Sequence, residues 1–212
     1  MPERKLILVA LPGIPEVVRG ANLAALLLAA VKRAGEVLKS GDVVVLAQKI
    51  VSKAEGRSVR LAEVTPSARA LELAKITGKN PRLVELMLRE SREVLRAKPG
   101  VLIVEHRLGF VMAGAGVDQS NVPGASAEEC ALLLPEYPDA SARRIQEELR
   151  AACGAAVGVL INDSFGRAWR NGVTGVALGV AGVPALVDLR GRPDREGRPL
   201  RVTQIAAADE LA

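Results

Sequence analysis

The chain has 212 residues, 49% of them hydrophobic, enough for the core of one large domain or of one domain with a sizeable insertion. Lys and Arg number 29 against 24 Asp and Glu, a formal charge of +5 that favours anionic partners, either nucleic acid or small phosphorylated ligands. The shortage of aromatics (Phe110, Tyr137, Phe165, Trp169) speaks against single-strand nucleic-acid binding, the spacing of Cys130 and Cys153 indicates neither a zinc site nor a disulfide framework, and no apolar run is long enough for a membrane span. A reduced, cytoplasmic, globular protein is expected.

In chain order, Lys5 to Ala10 predicts a first strand, broken by Leu11-Pro12-Gly13-Ile14-Pro15, where two prolines and a glycine fix a rigid loop. Such a loop suits either backbone contact with a ligand or a plain strand-to-helix connection. Asn22 caps a helix to about Ala34, and Gly41-Asp42 opens a second strand, Val43 to Ala47. After that strand come Gln48 and then Lys49, Lys53 and Arg57, the last three being cations suited to phosphate or simply to a solvated face. Helices follow from about Ser67 to Thr77 and from Pro81 to Ala97, with Gly78 as the stop between them and Thr65-Pro66 and Asn80-Pro81 as starts. They read as scaffold.

Pro99-Gly100 precedes a strand, Val101 to Glu105, which turns through Arg107-Leu108-Gly109 into Phe110 to Met112 as a hairpin. His106, the single histidine, sits at that turn and suits a hydrogen-bonded or surface role better than catalysis. The small residues of Ala113 to Gly116 permit close backbone approach and lead to Asp118. Pro138-Asp139 starts a helix from about Ala140 to Ala152, closed by Gly154.

The most informative stretch is Val157 to Arg170, where an apolar strand pattern runs into Asn162-Asp163-Ser164. A carboxylate and a hydroxyl at a strand end suit a hard cation, though Asp-Ser alone also suits an ordinary turn. Two aspartates from separate strand ends, Asp118 and Asp163, with lysines nearby, would form a metal and polyphosphate site. Arg167 and Arg170 offer guanidiniums to phosphate, and Trp169 reads as a packing residue. Gly172 to Val183 reads as a closely approached strand or loop, Arg190 to Arg201 as a basic turn-rich stretch, and Val202 to Ala208 as a last strand. Neither a G-x-x-x-x-G-K-[ST] loop nor a dinucleotide fingerprint is present.

Several segments together resemble the coenzyme F420-0:L-glutamate ligase (F420 gamma-glutamyl ligase) family: L-P-G-I-P at 11–15, A-Q-K-I-V-S-K-A-E-G-R at 47–57, A-G-V-D-Q-S-N-V at 115–122, N-D-S-F-G-R at 162–167 and G-R-P-D-R-E-G-R-P-L-R-V-T at 191–203. The resemblance implies a mixed α/β fold with an unusual mixed sheet, one ligase catalytic domain over 1–212 with a helical insertion at about 62–98, and an intertwined homodimer. It implies that Pro12, Gly13, Ile14, Pro15, Gln48, Lys49, Lys53 and Asn121 contact GTP. Asp118 and Asp163 would be catalytic and, with Ser164, would ligate Mg²⁺ or Mn²⁺; a monovalent cation is also compatible. The implied reaction joins L-glutamate to a deazaflavin phosphodiester, gamma-linked for later additions, through an acyl phosphate. The alternatives are a nucleotide-binding module of the same fold without ligase activity and a ligase for a different carboxylate. The resemblance also implies a further segment after 212 that contributes to the nucleotide site and a second metal.

Overall fold

The computed structural model describes residues 5–119, 130–166 and 168–212. The described elements are α1 (Leu23–Arg33), β1 (Val43–Ala47), α2 (Gln48–Ala54), β2 (Ser58–Arg60), α3 (Ala68–Thr77), α4 (Pro81–Arg89), β3 (Ser91–Lys98), β4 (Val101–His106), β5 (Val111–Ala113), β6 (Cys130–Leu132), α5 (Pro138–Cys153), β7 (Gly158–Gly166), β8 (Val173–Ala181), β9 (Val187–Asp188) and β10 (Gln204–Ile205). This is a mixed α/β architecture, as expected. No described helix is long and apolar enough to cross a membrane.

The central sheet has the order β1-β7-β8, with β1 parallel and β8 antiparallel to β7. A strand flanked on both sides needs apolar residues on both faces, and Val159, Leu160 and Ile161 are fully buried. Val159 and Ile161 join Leu23 and Leu27 of α1, Val44 and Leu46 of β1, and Ile145 and Leu149 of α5 in one core. Each such side chain contributes roughly 1.5–3 kcal/mol by burial. A bulge in the β7–β8 pairing falls between Ile161 and Asn162, and bulges re-aim the side chains that follow. Phe165 accordingly packs in a different cluster, with Met112, Leu134 and Leu178, and meets Phe110 edge-on at 6.0 Å. This cluster ties the end of β7 to the β4–β5 hairpin.

A second core gathers Leu73, Val84 and Met87 of α3 and α4 against Leu102 and Val104 of β4. The helix ends follow their sequence signals: Asn22, Ser67 and Asn80 accept backbone N–H groups as N-caps, and Gly78 and Gly154 close α3 and α5 in the left-handed conformation. The cap of α3 is therefore Ser67 rather than Thr65-Pro66.

Three expectations are corrected. Residues 5–10 form no strand: Leu6, Ile7 and Leu8 are 77%, 76% and 85% exposed, because the described chain offers this segment no strand partner. The helix from Pro81 ends at Arg89, and Ser91–Lys98 is a strand antiparallel to β4, so the stretch 62–98 is not helical throughout. The final strand shrinks to Gln204–Ile205, paired with β9.

Candidate active site

Asp163 lies near the end of β7, and Lys49 follows directly on β1, its parallel neighbour, at the start of α2. Asp118 arrives from the hairpin. The turn before it holds Gly114, Ala115 and Gly116 at φ of 60°, 52° and 64°, a conformation glycine adopts freely and alanine at a cost. A Cβ on Gly116 would stand 2.8 Å from the Leu134 side chain, so the turn also needs its missing side chain. Asp118 is then fixed by paired backbone hydrogen bonds with Leu132, of 2.9 and 2.7 Å.

These elements enclose a cavity of about 280 Å³, lined among others by Gln48, Lys49, Asp118, Asp163 and Ser164. Lys49 Nζ stands 2.5 Å from Asp118 Oδ2. The Ser164 backbone N–H donates to Asp163 Oδ1 at 2.8 Å and orients that carboxylate. Burial pushes the Asp163 carboxyl up; the Ser164 N–H and the Lys49 charge pull it down, and the neighbouring Asp118 charge adds to the rise, so the balance lies above its usual range. Gln48 is buried, and its Oε1 accepts from Ser52 Oγ at 2.9 Å. Two carboxylates with one lysine leave a surplus of negative charge among oxygen donors, which fits a hard divalent cation, and Ser164 lines the same cavity. Among the described residues no group of three His, Cys, Asp or Glu side chains is placed to hold a metal, so water or ligand phosphate would complete such a shell.

Of the residues singled out in the sequence, Gln48, Lys49, Asp118, Asp163 and Ser164 come together. Lys53, on α2, is not among the residues lining this cavity, and neither are Pro12, Gly13, Ile14 and Pro15. In that loop Ile14 packs partly on the main core, and the Gly13 carbonyl accepts from Arg33 Nη2 at 2.8 Å. Asn121 lies outside the described residues. The sequence reading missed Met112, Ala113 and Phe165 as lining residues; the hairpin was legible, but which of its faces meets β7 was not.

Arg57 is drawn inward instead of facing phosphate. Its Nε donates to the Leu134 carbonyl at 2.9 Å and its Nη2 to Glu90 Oε2 at 3.0 Å. Arg107 Nε donates to the same oxygen at 3.0 Å and its Nη1 to the Glu136 carbonyl at 3.1 Å. His106 is wholly buried; its Nδ1 accepts from the Leu108 N–H at 3.0 Å, which places its ring proton on Nε2, 3.6 Å from Glu90 Oε2. Burial raises the Glu90 carboxyl, but the His106 edge, the Arg107 hydrogen bond and the charges of Arg57 and Arg107 outweigh it and hold it at about 2. His106 is thus part of a clasp joining the end of α2, the end of α4 and the hairpin turn.

Fold and cavity together define a mixed α/β protein with a carboxylate–lysine pocket at the ends of a parallel strand pair. The family model described as F420-0:Gamma-glutamyl ligase matches residues 13–212, and the chain belongs to that family. It is similar to the Coenzyme F420:L-glutamate ligase of Methanothermobacter thermautotrophicus, with 44% identity over 205 residues, covering 97% of this chain and 80% of that protein. It is also similar to proteins of the same name from Methanopyrus kandleri, at 48% identity over 82% of this chain and 68% of that one, and from Halobacterium salinarum, at 46% over 96% and 77%.

Proposed function

We propose that this chain, as a single catalytic domain, is a GTP-dependent ligase that adds L-glutamate to coenzyme F420-0. The observation that carries this reading is the meeting of Asp118, Asp163 and Lys49 in one cavity of a chain belonging to this family. A carboxylate is a poor acyl donor, so the γ-phosphoryl group of GTP would pass to the carboxylate oxygen of F420-0, releasing GDP. The glutamate amine then attacks the acyl carbon, the C–O bond to phosphate breaks, and an amide, inorganic phosphate and a proton are formed. In a loose phosphoryl transfer, positioning and charge stabilisation supply most of the rate.

Asp118 and Asp163, with Ser164 Oγ beside them, would hold Mg²⁺ or Mn²⁺, which when bound supplies neutralisation of the phosphate oxygens. Lys49, paired with Asp118, contributes a point charge that suits phosphate. The Ser164 N–H keeps Asp163 aimed. Gln48, anchored by Ser52, offers an amide to the ligand. The exposed apolar segment Leu6 to Leu8 supports assembly as a homodimer, since such a segment asks for a covering surface.

Incubation with GTP, Mg²⁺ or Mn²⁺, L-glutamate and F420-0, followed by mass spectrometry, tests the reading. The expected product is heavier by one glutamyl residue, and its formation requires GTP. GTP binding without any product would instead favour a nucleotide-binding module, and product only with another acid would reassign the substrate.

A further inference from the structure

The only tryptophan of the chain is placed where the fold gains nothing from it. Trp169 lies in the connection between β7 and β8 and is 100% exposed, with φ of 65°. A left-handed backbone is a rare outlier for a bulky side chain, and full exposure forgoes the burial for which an indole is suited. Both features work against stability, so the sequence expectation that Trp169 packs is overturned. An observed strain of this kind points to function when it adjoins a site.

It does adjoin one. Ser164, Phe165 and Gly166 line the cavity, and Trp169 follows Gly166 by three residues, so its Cα lies within about 11 Å of that lining at full chain extension. Its neighbour Arg170 is exposed as well. An exposed indole next to a cation, within reach of a cavity with carboxylates and a lysine, matches a ligand that has a flat heteroaromatic ring and a phosphate group. Aromatic stacking tolerates any such ring, because each presents a π face.

We infer that Trp169 is a stacking platform for the heteroaromatic ring of a substrate at the mouth of the cavity. The inference builds on the proposed function, in which two reactants carry such a ring: the guanine of GTP and the deazaflavin of F420-0. As the sole tryptophan, Trp169 reports on itself. Its bimolecular acrylamide quenching constant, taken from fluorescence lifetimes so that energy transfer to deazaflavin is not counted as shielding, is measured in the whole protein alone, with GDP and Mg²⁺, with F420-0, and with L-glutamate as the ringless control.

The expected result is a high constant in the free protein, a several-fold fall with one ring-bearing ligand, and none with glutamate; the ligand that protects identifies the ring. Trp169→Ala raises KM for that same ligand by about tenfold with little change in kcat, and Trp169→Phe restores most of the loss. Trp169→Gly, which frees the backbone, leaves the melting temperature unchanged or higher, the opposite of what a structural role requires. Absence of protection by both ligands overturns the inference, as does shielding in the free protein that is lost on dilution, which would mean that a second copy covers the indole. If the wild type makes no product, the proposed ligase reading fails while protection by GDP still decides this one; if it makes product and Trp169→Ala leaves both KM values unchanged, only the stacking role fails.

Discussion

At the scale of single residues, the Asp118–Asp163 pair and the Glu90 clasp make opposite demands on stability. The Asp163 carboxyl is raised in the folded chain, chiefly by burial, so its contribution to stability is present below its ordinary value near 3.8 and is lost as pH rises through the raised one. Asp163→Asn removes that loss. The variant is expected to melt no lower than wild type at neutral pH in calorimetry, while glutamyl transfer falls by about 100-fold or more; a variant that unfolds would place Asp163 in the scaffold instead. Asp118→Asn is expected to lose transfer likewise. Glu90 runs the other way. Held at about 2 against an ordinary 4.5, it supports the fold above about 4.5 and loses that support as pH falls toward 2, on the order of 3 kcal/mol. Acid titration of Glu90→Gln should therefore show a flatter decline over that window and a lower stability at pH 7, since Arg57 and Arg107 then lack their shared carboxylate. An unchanged acid limb would remove Glu90 from the account. Asp118 and Asp163 were each legible as candidates from the apolar strand patterns that lead to them, but their meeting was not, since it depends on the register of β7 beside β1 and on the turn after β5; the clasp was not legible either, because Arg57, Glu90 and Arg107 owe their meeting to three separate elements.

At the scale of elements, β8 shows what its glycines are for. A Cβ on Gly179 would lie 2.3 Å from the Pro138 carbonyl carbon, and one on Gly175 would lie 2.2 Å from the Ala212 oxygen. Through this space Asp139 accepts the Val180 N–H and Asp209 the Ala177 N–H, each at 2.9 Å, so the outer edge of the sheet is closed by side chains instead of another strand. Gly179→Ala is expected to push the start of α5 off the sheet and to cost about 1–3 kcal/mol, read as a lower denaturant midpoint; an unaltered midpoint would show that α5 yields freely. The strand that sequence reading missed has a comparable cause. Along β3 the half-buried residues are Ser91, Val94 and Ala97, a spacing of three in a stretch rich in helix-forming Glu, Arg, Leu and Lys. Two register shifts against β4 produce that spacing by interrupting the alternation of a regular strand. A bulged strand thus imitates a helix, and only the apolar partner β4 decides between them. The β4–β5 hairpin and α5, by contrast, carry Gly109 in the turn and Pro138 and Gly154 at the helix ends, and were legible from them, although Asp139 accepts the Val180 N–H instead of capping α5.

At the scale of the whole molecule, Leu6, Ile7 and Leu8 remain exposed, which is why a strand-like sequence there yields no strand within one chain. If the homodimer proposed above covers them, Leu6→Glu with Leu8→Glu should shift the mass in solution, measured by light scattering, from twice the chain mass to once; an unshifted dimer would move the interface elsewhere. The pairing inside the sheet has a consequence for how the molecule comes into being. Val43 faces Gly158 and Ala47 faces Asn162, so the strand beside Lys49 waits for most of the chain before it finds its neighbour. Pairings so distant in sequence form late, after the entropy of closing a long loop has been overcome. A chain emerging from the ribosome can complete the β4–β5 hairpin, with α3 and α4 packed against it, and still lack any cavity. Once β7 slots in beside β1, Asp163 arrives opposite Lys49 and Asp118 together, so binding capacity should appear in a single late step of refolding.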